Sequence, residues 1–429
     1  MMASPDTQTG QQVSGQAKSL LSRQDCVALD ESDPLAPCRQ LFQLPPGVIY
    51  LDGNSLGALT HAAERRVQQT LRAEWGADLI KSWNVHDWIE LPARLGARIA
   101  PLVGAAPDEV TVCDSTSVNL FKIAAAAARS RGRRHRIITE SGNFPTDPYM
   151  LQGLVALVPD LELVCVEREQ LEGAIDEQTF LVVLTHVHYA TAEMFDLAAV
   201  TARAHAKGAR ILWDLSHSVG AVPVDLSAAG ADFAVGCSYK YLNGGPGAPA
   251  FMYVRRELQA DLLPVLSGWL GHARPFDFVD EYRPAAGMAR HLCGTPPVLA
   301  FAALEGALSV FEGIDMQTVR RKSQALSELF IKLVESFAAD YGAALASPRR
   351  AAERGSHVSF AHPDGYALMQ QLIARGIIGD FRAPDLLRFG FTPLYLRYVD
   401  VWDAAQGLRE ELERWRTVGP SAVVRQSVT

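Results

Sequence analysis

The sequence of 429 residues contains few cysteines for its length, and none of them form a Cys-x-x-Cys pair. Six dispersed cysteines exclude a disulfide framework. Cys113, Cys165 and Cys237 lie in apolar segments, which predicts reduced and buried thiols. No apolar run reaches the roughly 18 residues that cross a membrane, and the polar N-terminus does not resemble a signal peptide. We therefore expect a cytoplasmic protein.

The sequence also has no excess of basic residues over acidic ones. Forty lysines and arginines against 48 acidic residues give a net charge of −8. Nucleic acids and acidic membranes are bound by clustered basic surfaces, so neither is an expected partner. The Gly-x-Gly-x-x-Gly pattern of dinucleotide sites does not occur. His186 and His188 could ligate a metal from one strand face, but with no third ligand nearby we expect hydrogen-bonded histidines and no metal.

The middle of the chain alternates short apolar runs with helical patterns, such as the helix predicted over 194–208 with its stop at Lys207-Gly208. The runs are nearly continuous in aliphatic residues, which is typical of strands covered on both faces. The predicted strands are 135–140, 161–167, 179–187, 209–215 and 232–238. This alternation predicts an α/β fold with a mainly parallel sheet covered by helices.

The last quarter of the sequence has a different pattern. Leu326, Phe330, Leu333 and Phe337 recur at helical spacing, and the short strands and helices after them suggest a smaller α+β domain. The predicted division is a disordered tail at 1–18, an N-terminal segment at 19–65 that packs with the small domain, a large domain at 66–305, a small domain at 306–418 and a tail at 419–429.

Two chemically distinctive residues follow consecutive predicted strands. Asp214 ends the fourth strand, and Lys240 follows the fifth. Ligands of open α/β sheets bind at the carboxyl ends of strands. A carboxylate and a lysine placed there fit pyridoxal 5′-phosphate (PLP), whose aldehyde bonds a lysine and whose ring nitrogen needs an acidic partner. The alternative is that Asp214 caps a helix and Lys240 is a surface lysine.

A phosphate site is predicted where 114–117 (DSTS) opens a helix. Hydroxyl groups and free N–H groups at a helix N-terminus bind anions, although the same residues could simply cap the helix. Phe144, after the first predicted strand, could lie against a cofactor ring or in the core.

The sequence resembles the kynureninase family over about residues 25–415. The resemblance rests on motifs in family order: 51–57 (LDGNSLG), 114–121, 140–147, 213–226, 237–251 (CSYKYLNGGPGAPAF), 266–272, 293–299 and 387–395. It implies an aspartate-aminotransferase-like fold, PLP, and a homodimer with active sites at the subunit interface. It also implies hydrolysis of L-kynurenine to anthranilate and L-alanine in tryptophan breakdown, within the kynurenine pathway linked to NAD biosynthesis.

The resemblance also implies residue roles. Lys240 would bond the cofactor, Asp214 would pair with the ring nitrogen, and Tyr239 would join them as a catalytic residue. The other cofactor residues would be Thr116, Ser117, Phe144, Asp147, Thr185 and His217, with Trp269 and Thr295 reaching the phosphate from the partner subunit. Arg388 would bind the substrate carboxylate.

The substrate side depends on fewer observations. Arg388 lies in an apolar strand pattern, where a bound carboxylate would satisfy it, but a salt bridge to Asp380 or Asp385 would do the same. Ser55 and Trp83 are candidates for the aromatic-ring pocket, although Trp83 could be ordinary packing. Animal-type relatives have Asn in place of Thr295, a difference that favours kynurenine over 3-hydroxykynurenine.

One other PLP lyase remains an alternative. A cysteine desulfurase would need a nucleophilic cysteine on a mobile loop. Cys293, next to Gly294, is the candidate for that role.

Overall fold

The computed structural model describes residues 21–419, so the predicted tail at 1–18 and all but Gly419 of the tail at 419–429 lie outside it. The strands are β1 (Ile49–Tyr50), β2 (Val110–Val112), β3 (Arg136–Glu140), β4 (Glu162–Val166), β5 (Thr179–Thr185), β6 (Arg210–Asp214), β7 (Phe233–Gly236), β8 (Phe251–Val254), β9 (Ala344–Leu345), β10 (His357–Ala361), β11 (Ile377–Ile378), β12 (Asp380–Arg382) and β13 (Leu386–Gly390).

The α-helices are α1 (Arg23–Glu31), α2 (His61–Gln69), α3 (Ser82–Val85), α4 (Leu91–Ile99), α5 (Thr116–Arg129), α6 (Thr146–Leu157), α7 (Leu171–Ala174), α8 (Leu197–Ala206), α9 (Arg256–Gln259), α10 (Val298–Ala307), α11 (Met316–Glu335), α12 (Gly365–Ala374) and α13 (Tyr398–Val418). Within residues 21–419, no helix is long and apolar enough to cross a membrane.

A seven-stranded sheet forms the centre of the large domain, in the order β2-β8-β7-β6-β5-β3-β4. β4, β3, β5, β6 and β7 run parallel, whereas β8 is antiparallel to both of its neighbours. The five parallel strands are the five that the sequence predicted, and the α/β fold class is confirmed. Each connection between parallel strands crosses over a face of the sheet, which is why both faces are covered.

Strand β4 corrects part of the sequence interpretation. It is the edge strand of the sheet, its residues are only partly covered, and the Cys165 thiol on it is exposed rather than buried. Apolar composition predicted a covered strand, but an edge strand has a neighbour on one side alone. Cys113 and Cys237 are buried as expected.

The C-terminal region contains a four-stranded antiparallel sheet, β12-β13-β10-β9, packed with α11, α12 and α13. α11 buries Leu326, Phe330 and Leu333 of the apolar stripe that predicted it. Phe337, the fourth member of the stripe, is also buried but lies just past the end of the helix at Glu335. The N-terminal segment contacts this region: β1 pairs in parallel with β11, and the Asp30 carboxylate accepts the Tyr398 N–H at the start of α13 (2.6 Å). The exact domain boundaries stay predictions.

Candidate active site

The sheet register places three polar side chains side by side. Thr185 is the last residue of β5 and pairs with Asp214, the last residue of β6, which pairs in turn with Val235 of β7. Lys240 follows β7 after a short bend. Because these strands are parallel, their carboxyl ends meet at one edge, where ligands of such sheets bind.

A cavity opens at this edge. Its lining residues are Ser115, Thr116, Ser117, Phe144, Thr146, Asp147, Thr185, Tyr189, Asp214, Ser216, His217, Tyr239 and Lys240. Nine of the residues predicted to bind a cofactor are therefore brought together by one chain. The alternative for Lys240, a surface lysine, does not fit its place in this cavity.

Lys240 contacts a neutral histidine. Its Nζ lies 2.9 Å from Nε2 of His217, and the Phe144 ring centroid is 6.0 Å from the same Nζ. Burial, followed by the positive charge of Lys240, lowers the pKa of His217 well below its usual value. A neutral imidazole can accept a hydrogen bond from the lysine without repelling it.

Two carboxylates lie buried beneath the cavity. The backbone N–H of Ser216 donates to Asp214 (2.8 Å), and Asn143 and Thr185 donate to Asp147 (3.1 and 3.3 Å). Burial raises the pKa of Asp214, and burial together with the charge of Asp214 raises the pKa of Asp147 well above its usual value. Such a pair would be stabilised by a positively charged ligand group between them.

The phosphate side of the cavity is the start of α5. Ser115 caps this helix through its hydroxyl, which accepts the Val118 N–H. Thr116 and Ser117 follow in the first turn, where backbone N–H groups point outward without helical partners. The helix is 14 residues long and carries no acidic residue in its first turn, so its positive end is free to attract an anion.

Unsatisfied polar atoms in the cavity test whether PLP fits. The Thr116 hydroxyl, the Asp147 Oδ1 and the His217 Nδ1 are buried, and each lacks a hydrogen-bond partner within residues 21–419. Buried polar atoms normally have partners. A ligand with a phosphate at one end and a polar ring at the other would supply partners at these positions, so the residues fit PLP.

Five predicted site residues do not line this cavity: Trp269, Thr295, Trp83, Arg388 and Ser55. Trp269 is 38% exposed and stacks edge-on against Phe276, and Thr295 is also exposed, so both face away from their own chain's interior. Trp83 packs against Trp88 with ring centroids 6.0 Å apart. This contact fits the packing alternative that the sequence had left open, and the role of Trp83 in the aromatic-ring pocket stays a prediction.

Arg388 is not an unpaired guanidinium, which corrects the expectation from its apolar strand. It is 1% exposed, its Nε donates to Asp380 (2.7 Å) and its Nη2 contacts the same carboxylate. Residues 380 and 388 are register partners on β12 and β13, so the ion pair follows from the antiparallel pairing. The salt bridge to Asp380 that the sequence left as an alternative is present.

Ser55 lies in the same cluster, and its place in the aromatic-ring pocket stays a prediction. Its hydroxyl donates to Asp380 (2.6 Å) and accepts from Arg388 Nη2 (2.8 Å). Arg382 also donates to Asp380 (2.6 Å). Nearby, burial and then the charge of Asp380 raise the pKa of Asp52 to about 7. Four charged side chains of opposite signs are thus packed together beside the cavity.

The two histidines of the His-x-His pair lie just past the end of β5, not within it. His186 Nδ1 is 2.9 Å from the Ser218 hydroxyl, and His188 Nε2 is 2.9 Å from the Gly142 carbonyl. Burial lowers the pKa of His186 to about 4. Among the described residues, no group of three or more His, Cys, Asp or Glu side chains could hold a metal ion.

Four residues at the site were not predicted from the sequence. Asn143 donates to Asp147, and Thr146, Tyr189 and Ser216 line the cavity. Asn143, Thr146 and Ser216 are close in sequence to predicted residues, so a search of strand ends could have found them. Tyr189 gave no local signal, because its place at the cavity depends on contacts between distant parts of the chain.

Solved structures share this fold. The cysteine desulfurase CsdA of Escherichia coli superposes with a TM-score of 0.75 at 19% identity, covering 89% of this chain and 98% of that one. A variant of C-DES with glycine linked to its PLP cofactor gives 0.73 at 18% identity, covering 86% and 98%. The fold and the cavity together define the class, PLP-dependent enzymes with an aminotransferase-like fold.

Sequence relatives identify the family. Kynureninases of Burkholderia mallei (strain SAVP1) and Pseudomonas fluorescens are each 52% identical to this chain, covering 95% and 96% of it and 100% of their own lengths. A family model described as the kynureninase C-terminal domain matches residues 319–408. The chain belongs to the kynureninase family. The predicted cofactor, PLP, and the preference for a kynureninase over a cysteine desulfurase are confirmed.

Proposed function

We propose that the residues around Lys240 carry out the hydrolysis of L-kynurenine to anthranilate and L-alanine that family membership assigns to this chain. The observation that carries the proposal is the meeting of Lys240, Asp214 and the α5 N-terminus in one cavity. When bound, PLP supplies an electron sink for the bonds at the substrate's α- and β-carbons. The protein must then bind the substrate, orient it and move protons.

Lys240 is the proposed base. Its Nζ is held at 2.9 Å from the neutral His217 ring, which accepts a hydrogen bond and can steady the amine near the α-carbon. A base placed within hydrogen-bond reach contributes a factor of about 10²–10⁴ to a proton transfer. Asp214, buried and held by the Ser216 N–H, is the proposed partner of the cofactor's ring nitrogen.

Tyr239 is the proposed acid. The charge of the neighbouring Cys237 and then burial raise its pKa above the usual value, so its phenol keeps its proton. A tyrosine that stays protonated can return a proton to the β-carbon after anthranilate has left. Its ring lies 5.8 Å from Lys240 Nζ, so both groups face the same reacting atoms.

Arg388 is the proposed site for the substrate α-carboxylate. Its Nη1 donates to the Tyr189 carbonyl (2.5 Å), and Tyr189 lines the cofactor cavity. Nη1 therefore contacts the backbone of a residue that lines the cavity. Four of the five guanidinium N–H groups already have partners, so the remaining N–H on Nη1 is the proposed donor to the substrate carboxylate, in a charge-assisted hydrogen bond.

The test of the activity is direct. Purified protein loaded with PLP should release anthranilate, followed by its fluorescence, from L-kynurenine. Because Thr295 replaces the Asn of animal-type relatives, kcat/KM should be higher for L-kynurenine than for 3-hydroxykynurenine. No anthranilate from protein with bound PLP would contradict the proposed function, and the reverse preference would contradict the role of Thr295.

We further propose a homodimer in which Trp269 and Thr295 reach the phosphate of the partner's site. An exposed apolar surface around Trp269 supports this, since large exposed apolar patches mark interaction sites. Its members are Leu263, Leu266, Trp269, Phe276, Phe278 and Val279. Mixed Lys240→Ala and Trp269→Ala subunits should regain part of the activity through hybrid dimers. No recovery after demonstrated subunit exchange would contradict shared sites.

We also propose a cellular setting. The free cysteines fit a cytoplasmic enzyme of tryptophan catabolism in the kynurenine pathway, which is linked to NAD biosynthesis. Fractionation of the source cells, followed by detection of the protein, would test the compartment.

A further inference from the structure

One side of the Arg388 guanidinium, formed by Nε and Nη2, is already hydrogen-bonded within this structure. Nε donates to Asp380 Oδ1 (2.7 Å), and Nη2 contacts Asp380 Oδ2. Nη2 also donates to Ser55 Oγ (2.8 Å), and Nη1 to the Tyr189 carbonyl (2.5 Å). A guanidinium has five N–H groups. These contacts use four of them, and the fifth is on Nη1, the nitrogen that contacts the backbone of Tyr189, a residue that lines the cavity.

Asp380 is itself fixed from several sides. It is fully buried, and it accepts hydrogen bonds from Ser55 (2.6 Å) and Arg382 (2.6 Å) as well as from Arg388. Burial alone would raise the pKa of Asp380, but the charges of Arg388 and Arg382 bring it below its usual value. The carboxylate therefore stays ionised and cannot turn away from Arg388 without leaving buried donors unpaired.

We propose that Asp380 is a positioning residue for substrate binding. It holds Nε and Nη2 of Arg388, so that the Nη1 end of the guanidinium faces the substrate carboxylate. This inference rests on the proposed role of Arg388. A long arginine side chain has many rotamers, and fixing it before binding avoids the entropy cost of ordering it afterwards. Ser55, from the N-terminal segment, hydrogen-bonds both Asp380 and Arg388 and so helps to hold them in place.

The charge of the cluster supports the same arrangement. Arg382 and Arg388 contribute two positive charges, which Asp380 and an ionised Asp52 would cancel. Protonation of Asp52 would leave one positive charge for the substrate carboxylate to neutralise. Asp380 thus always neutralises one of the two guanidinium groups, and Asp52 is the group whose protonation can change.

The experiment is a double-mutant cycle on the PLP-loaded enzyme with Asp380→Asn, Arg388→Lys and the double variant. Asp380→Asn should raise KM for L-kynurenine by about tenfold or more, the effect of losing one charge-assisted hydrogen bond, and change kcat less. If Asp380 acts through Arg388, the double variant should bind substrate no worse than Arg388→Lys alone. Bound PLP should remain at the parent level in each variant.

The control is Asp385→Asn, in the turn between the same two strands, where residue 385 gives its backbone carbonyl to His362 N–H (2.9 Å). This variant should keep the parental KM. Because removing one partner of a buried ion pair can prevent folding, Asp380→Glu is a second test: it keeps the charge, displaces the carboxylate by one methylene, and should still raise KM.

Two failures are distinguishable. If Arg388→Lys leaves KM unchanged, the proposed role of Arg388 is wrong, and the inference about Asp380 is overturned with it. If Arg388→Lys raises KM but Asp380→Asn leaves it unchanged or lowers it, only the positioning role is overturned, because Asp380 then acts as a structural partner or as a competitor for Arg388. Full additivity in the cycle would overturn it too.

Discussion

The cofactor cavity and the Arg388 cluster lie side by side but differ in how far their polar atoms are paired. In the cavity, the Thr116 hydroxyl, Asp147 Oδ1 and His217 Nδ1 are buried without partners within the described chain. In the cluster, Arg388 and Asp380 pair with each other, whereas Asp52 Oδ1 and Arg382 Nε are buried without partners among the same residues. The first region has unpaired atoms where a cofactor would bind, and the central ion pair of the second is formed before any ligand binds.

This difference indicates how each region contributes to binding. A cavity with unpaired polar atoms gains free energy when a ligand pairs them, which suits a cofactor that stays bound. A cluster whose central ion pair is already formed gains less from each new contact, but it keeps Arg388 in one orientation, which suits a substrate that must also leave. Changes in the first region should therefore affect chemistry most, and changes in the second should affect binding.

The largest effect is expected for Lys240→Ala. Loss of the amine should remove the covalent cofactor adduct that borohydride fixes, and lower kcat by about 10²–10⁴ or more. Mass spectrometry after reduction, together with turnover of L-kynurenine, checks both. Lys207→Ala, a surface lysine paired with Glu177, is the matched control and should retain the adduct. A PLP adduct on another lysine in the Lys240→Ala protein would contradict the assignment.

Asp214→Asn should come next. An opposite charge close to a titrating group shifts its pKa by about 1–3 units, so losing it should lower kcat by about ten- to a thousandfold. Thermal unfolding should change little, since the substitution is isosteric. Asp232→Asn removes another buried carboxylate near the other end of the sheet, paired with His205 and Arg255, and should instead lower stability. Near-normal turnover in Asp214→Asn would count against its role.

Arg388→Lys should affect binding more than chemistry. Lysine has three donors where arginine has five, so it cannot pair with Asp380, Ser55 and the Tyr189 carbonyl and still donate to the substrate, and kcat/KM for L-kynurenine should fall by about tenfold to a few hundredfold. PLP content should stay at the parent level, because Arg388 lies in the cluster rather than in the cofactor cavity. Arg375→Lys, on a half-exposed ion pair with Glu410, is the control. Loss of PLP in parallel with kcat/KM would show a structural role instead.

The smallest effect is a change in pH dependence for Asp52→Asn. The folded-state pKa of Asp52, raised to about 7, lies above the usual carboxyl value of 3.8, so the folded chain holds this proton more tightly than the unfolded chain. The resulting stability is present below about pH 4 and is lost as pH rises through about 7.

Asp52→Asn removes this titration. Its Tm should therefore fall less than that of the parent between about pH 5 and pH 8, by a difference of about 1–3 °C. Asp108→Asn, an exposed carboxylate next to Arg256, should leave the parental slope unchanged. Equal slopes in the parent and Asp52→Asn would show that Asp52 is ionised throughout, and that the cluster is neutral before substrate binds.

Several features of this protein depend on short-range patterns and could be predicted from its sequence alone. The five parallel strands were visible as apolar runs, and four of them, all but the edge strand β4, are covered on both faces. Asp214 and Lys240 were visible because parallel strands bring consecutive ends to one edge. The helix start at Thr116 was visible from its capping residues. The family motifs added the cofactor and the reaction, which patterns of polarity cannot specify.

Contacts between distant segments, in contrast, were visible only in the tertiary structure. The exposure of Cys165 depends on which strand lies at the sheet edge, and apolar composition does not encode strand order. Ser55 reaches Asp380 across 325 residues, and Arg388 reaches the Tyr189 carbonyl across 199. Hydrogen bonds of this kind require the N-terminal segment, the large domain and the small domain to be packed together, so no local pattern in the sequence predicts them.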